Sequence, residues 1–165
     1  MSAASSRALE LAAQLEEANG AVIGFARGLS ASQWREIAPG EQWPVGVVVH
    51  HVAVGHDLML RWLGSVSRGV DIADDAASVD EANDRHAREF ADVGAHDTVM
   101  LLQANGARLA DFIRGLDDAQ LGRTAAFGPG NGMTVDAERM AELATRHCTV
   151  HLAGARAALG MDDGE

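Results

Sequence analysis

The chain has 165 residues, a formal net charge of -11 and one cysteine, Cys148; that length suits a single domain with its own core, and one cysteine excludes an intramolecular disulfide. The acidic balance lacks the basic footprint that nucleic acid or an anionic membrane surface requires. All basic side chains are arginine, which excludes lysine-based Schiff-base and P-loop chemistry.

The N-terminal "MSAASSRALELAAQLEEANG" has no apolar run followed by a cleavage site, and no later stretch reaches transmembrane length. The expectation is a cytoplasmic protein forming one domain over 1–165, with a frayed acidic tail at 161–165. From residue 5 to 29, Leu11, Leu15, Ala18, Val22, Phe25 and Leu29 recur at steps of four and three, the signature of one helical face. Ser30 and Gln33 have the spacing of a capping box, "APGEQWP" then breaks the chain, and Pro44 suits the first turn of a second helix. That helix carries "HHVAVGH", three histidines in an otherwise apolar segment.

The Gly- and Asp-rich "SRGVDIADDAA" reads as a loop long enough to cross over a bundle, and Ser78 with Glu81 forms a candidate capping box for a third helix. "DVGAHD" interrupts that helix, after which Val99, Leu102, Gly106, Leu109, Ile113 and Leu116 share a face; a kinked helix or two consecutive ones are expected between 78 and 116. "AAFGPGNGMT" reads as a loop, and a last helix is expected from Thr134 to about Gly160. No β-type alternation of useful length and no internal repeat appear. Four long amphipathic segments predict an all-α four-helix bundle with a long crossover connection.

On the last helix His147 and His151 are four residues apart, in line with Met140, Leu143, Ala144, Gly154 and Ala158, so both point into the core. Two adjacent buried imidazoles each need a partner, and one divalent cation satisfies both; bonding to other side chains or water is the structural alternative. The zinc-protease pattern H-E-x-x-H is absent, since Cys148 stands where its glutamate would be. Cys148 itself reads as a packing residue with thiolate ligation as the alternative. On the second helix Val45, Val48, Val52, Met59 and Leu63 define the core stripe; His56 falls on it, His51 on its flank and His50 on the far side. The wheel alone favours His56 as a third ligand and leaves His51 open.

Trp43, an apolar run, a histidine eight positions on, and "HCTVHLAGAR" near the C-terminus together resemble the DinB-like superfamily, in particular its branch of mycothiol-dependent maleylpyruvate isomerases and related thiol S-transferases. "VDEANDRHAREFADV" and "LLQANGARLADFIRGLDDAQL" extend the similarity over most of the chain. Pro44 stands where the family often has Ser or Thr, and some members carry glutamate at the first last-helix ligand position. The resemblance implies a DinB-like bundle with His51, His147 and His151 as metal ligands and His50 on the solvated face. His56 is then an outer-sphere or core histidine; Asn83 and His86, on a stripe with Val79 and Phe90, are candidates for the substrate pocket together with His56, and a buried hydrogen-bonded network is the structural alternative for the pair. Zinc is the first candidate metal, with nickel or iron as alternatives.

Three neutral imidazoles leave a cation with an open position, as in catalytic zinc sites. The resemblance implies activation of a low-molecular-weight thiol such as mycothiol and its transfer to a small electrophile, in a homodimer. A metal-dependent hydrolase acting through hydroxide and a non-catalytic metal-binding stress or interaction protein are the alternatives.

Overall fold

The computed structural model describes residues 5–161; most of the expected acidic tail, 162–165, lies outside the described residues. Helix α1 spans Ser6–Gly28, with the Ser5 side chain accepting from the Arg7 N–H at its start. Its buried face holds Leu11, Leu15, Ala18 and Val22 as the spacing predicts, together with Ala8, Ala12, Asn19 and Ala26. A short α2, Ala31–Arg35, begins with the expected Ser30/Gln33 capping box. Two-residue strands β1 (Ile37–Ala38) and β2 (Trp43–Pro44) then pair antiparallel, with Ala38 opposite Trp43.

Helix α3, Val45–Val66, starts directly after Pro44 and is buried on nearly every side. The expected stripe of Val45, Val48, Val52, Met59 and Leu63 is inside, and each fully buried aliphatic side chain of this kind contributes about 1.5–3 kcal/mol. Helix α4, Ala76–Glu89, starts earlier than predicted. Asp75 caps it and Ser78 returns the bond to the cap N–H, so the capping box is Asp75/Ser78 and not Ser78/Glu81. Both pairs have the required spacing, and the upstream pair captures three further residues in helix.

The predicted interruption is real: α5 is a separate helix, Ala95–Arg114, following a break at 90–94. A four-residue α6, Asp118–Leu121, precedes a hairpin of β3 (Thr124–Phe127) and β4 (Met133–Asp136) joined by a 3₁₀ turn. This hairpin replaces the loop expected at 125–134, and its strands are too short to show alternation in the sequence. It also takes residues 134–136 from the expected last helix, so α7 spans Ala137–Ala158, capped by Asp136.

The bundle consists of α1, α3, α5 and α7. Helices α1 and α3 each pack on both α5 and α7, and α1 meets α3 only slightly. The ring order is therefore α1, α5, α3, α7, and the segments 29–44 and 115–136 connect opposite corners. The loop at 67–77, expected to provide the crossover, instead leads by way of α4 to α5, the neighbour of α3. One continuous core of Leu, Val, Ala and Met side chains fills the centre. Among the described residues, no helix is long and apolar enough to cross a membrane.

Candidate metal centre

Helices α3 and α7 meet through a close approach at Gly55, where a side-chain carbon would lie 2.6 Å from His147 Cε1. The absence of a β-carbon lets the Cε1 edge of the His147 ring approach α3 closely, one turn after His51. There the two rings face each other, with Nε2 to Nε2 at 3.0 Å. His151, one turn along α7, completes a triangle: ring centroids are 4.9 Å apart for His51 and His147, 4.8 Å for His51 and His151, and 4.6 Å for His147 and His151. One nitrogen from each ring lies within 4.8 Å of the others, and all three residues are half-buried.

The protonation of this cluster is set by its position. Burial, reinforced by His151, His86 and His50, pushes the His51 pKa down to about 3. Burial and then the neighbouring imidazoles of His51, His151 and His56 hold His147 well below the ordinary histidine range. Both are neutral at pH 7, the form that ligates metals. Their facing Nε2 atoms require one ring to donate to the other, and a cation between them takes the place of that proton. At the roughly 2.0–2.1 Å of a metal–imidazole bond, two ligands on one cation bring their nitrogens to about the separation seen here. A half-buried set of three imidazole nitrogens, with His51 and His147 in the neutral form, thus fits a divalent ion.

His151 Nδ1 lies 3.0 Å from Glu41 Oε1, a residue of the β1–β2 turn. Trp43 of β2 meets the His51 ring edge-on, with centroids 5.5 Å apart. The remaining predicted residues surround this cluster unequally. His86 is buried, its ring centroid 5.7 Å from that of His51, and its Nδ1 has no hydrogen-bond partner. Asn83, one turn earlier on α4, is half-buried and takes part in none of the contacts of the cluster. His56 is 1 % exposed, with Nε2 2.9 Å from Asn19 Oδ1. It is a core residue behind the site and does not line an open pocket.

His50 corrects the sequence reading. It is 5 % exposed, not solvated, and its Nδ1 lies 2.8 Å from His86 Nε2. Phe90 covers the pair at 4.3 Å between ring centroids. Burial, then the adjacent His86, lowers the His50 pKa to about 4. Cys148 is buried, with its thiol pushed up to about 12 by desolvation; it packs as a neutral thiol.

Sequence reasoning did not find Glu41, Gly55 or Asn19. Gly55 offered a signal, because an isolated glycine inside an apolar helix marks a close approach. Asn19 has one in retrospect: it interrupts an apolar stripe and uses its amide to reach the Leu102 carbonyl at 3.0 Å. Glu41 has none, since it sits in a turn and reaches His151 only through the fold.

Among curated proteins none matches the chain significantly. The fold is similar to that of YfiT from Bacillus subtilis, described as a probable metal-dependent hydrolase with an unusual four-helix bundle topology. The TM-score is 0.74 at 20% identity, over 92% of this chain and 86% of that one. The model of the DinB superfamily matches residues 14–154. With that match over most of its length, the chain belongs to the DinB superfamily.

Proposed function

We propose that this chain is a divalent-metal-dependent enzyme whose ion is held by His51, His147 and His151, with zinc as the first candidate and nickel or iron as alternatives suited to imidazole. The observation that carries the reading is the 3.0 Å approach of the Nε2 atoms of two half-buried, neutral imidazoles, with a third imidazole in reach. A divalent cation lowers the pKa of a coordinated thiol or water and so supplies a nucleophile at neutral pH.

The substrate pair we propose is a low-molecular-weight thiol such as mycothiol and a small electrophile, giving a thiol S-transferase or isomerase. The resemblance of the Trp43, His51 and "HCTVHLAGAR" motifs to the mycothiol-dependent branch supports it. The neutral Cys148 thiol supports it too, because the protein then needs a thiol from solution. His86, with an unpartnered Nδ1 beside His51, is suited to orient a substrate polar group. His50 fixes the opposite side of its ring, and Asn83 is the second orienting candidate. The description of YfiT favours a second reading, metal-dependent hydrolysis.

The test compares metal-loaded, metal-free and His51→Ala proteins across pH, using mycothiol and simpler thiols against a panel of electrophiles. Only the loaded wild type should retain conjugation below the free thiol's pKa, where the uncatalysed reaction fades. Equal rates in all three proteins reject thiol activation. Ester cleavage without thiol by the loaded form alone supports the hydrolase.

A further inference from the structure

We propose that Glu41 is a positioning residue that sets the tautomer and orientation of His151; the inference rests on the metal-binding reading above. A carboxylate only accepts hydrogen bonds. Its Oε1, 3.0 Å from His151 Nδ1, therefore keeps the proton on Nδ1 and leaves Nε2 bare. The pair is well screened from water, with side chains 18% and 23% exposed. A buried carboxylate on the outer nitrogen of a ligand imidazole both orients the ring and raises its basicity.

The local backbone is built to deliver this contact. Glu41 lies in the turn between β1 and β2, and the next residue, Gln42, has φ of +60°, in the left-handed region that non-glycine residues seldom occupy. Two bonds hold Gln42 there: its N–H donates to the Ala38 carbonyl at 2.8 Å, and its side-chain Nε2 donates to the Pro39 carbonyl at 2.6 Å. At the base of the hairpin the Val45 N–H donates to the Glu36 carbonyl at 2.8 Å, and β1 packs against α7. The turn is thus tied to the helix that carries His147 and His151. His147 differs, because its buried Nδ1 has no partner. Of the two α7 imidazoles, only His151 has an outer-sphere anion.

The experiment uses two readouts on wild type, Glu41→Gln, Glu41→Ala and Gln42→Gly. The first is the tautomer of His151 in the metal-free protein, from long-range nitrogen–proton NMR correlations. The second is cobalt(II) affinity by competition titration, with the visible cobalt spectrum recorded alongside. Wild type should show the Nδ1–H form, and Glu41→Ala a mixture. Affinity should fall about 10- to 100-fold in Glu41→Ala, with partial recovery in Glu41→Gln, whose amide oxygen still accepts. Gln42→Gly, which tolerates the same φ, should bind within about two-fold of wild type on the same argument. Unchanged tautomer and affinity in Glu41→Ala overturn the assignment. If wild type itself binds no cobalt, the metal-binding reading fails and this inference with it, whereas binding by wild type and Glu41→Ala alike sinks only the inference.

Discussion

Replacing Gly55 with Ala tests whether the close approach of α3 to α7 serves the site. The added carbon would lie 2.6 Å from His147 Cε1 and 3.1 Å from its Nδ1, against the 3.4 Å at which ordinary contact begins. The ring must therefore retreat by about 0.8 Å, several times the roughly 0.2 Å by which metal–ligand distances vary. Its Nε2 already faces His51 Nε2 at 3.0 Å, so rotation toward the cluster offers no escape. Two terms oppose each other in the metal-free protein: removing a mid-helix glycine gains about 0.5–1 kcal/mol, while overpacking costs about 1–3 kcal/mol. The net destabilisation should lie between about zero and 2.5 kcal/mol, with metal affinity falling at least about 10-fold, as for other misplaced ligands. Gly24→Ala is the control, because its new methyl group meets nothing within 4 Å; it should gain about 0.5–1 kcal/mol and bind metal normally. Urea unfolding of the metal-free proteins and competition titrations with zinc read the two effects separately. Wild-type affinity in Gly55→Ala without loss of stability would refute the packing argument.

Burial holds the His56 pKa at about 4 against an ordinary 6.5, so on acidification the unfolded chain takes up the proton first. Its contribution is fully present above about pH 6.5 and is lost as pH falls from there toward 4; lowering pH from 7 to 5 should cost about 1–2 kcal/mol through this residue. Unfolding in chelator at both values checks it, with His56→Gln expected to reduce the difference by that amount, the other buried histidines keeping the rest, and an unchanged slope counting against the assignment. Asn19→Leu removes the partner of His56 Nε2 and the amide bond to Leu102; with buried polar groups left unpaired, it should destabilise by about 2–4 kcal/mol, and a urea midpoint equal to wild type would contradict that. Chelation should leave far-ultraviolet circular dichroism and cooperative unfolding in place, because the core stripes bury independently of the site; loss of the cooperative transition would make the metal structural.

The pair at 147 and 151 was legible because four-residue spacing puts two side chains on one helical face whatever the tertiary context. The bundle was legible through its long apolar stripes, which needed only a 3.6-residue period. His50 was misplaced for a physical reason: a helical wheel assumes one buried face, and α3 is covered on several. Its extra cover comes from α4, a polar helix whose only buried residue is His86, and amphipathicity cannot signal docking through one side chain. The start of α4 was ambiguous because Asp75, Ser78 and Glu81 form two overlapping capping boxes at equal spacing. Residues 125–136 read as loop and helix because a four-residue strand is too short to show a period. Glu41 depends on the left-handed turn at Gln42, and neither residue type announces that conformation.

Metal content and binding stoichiometry of protein purified without an affinity tag decide whether His51, His147 and His151 form one site. Wild type should bind one divalent ion per chain, His51→Ala should lose most of its occupancy, and the His147→Ala/His151→Ala double variant should bind none. Full stoichiometric binding by the double variant would contradict the three-histidine site, and unchanged binding by His51→Ala alone would remove α3's contribution through that residue.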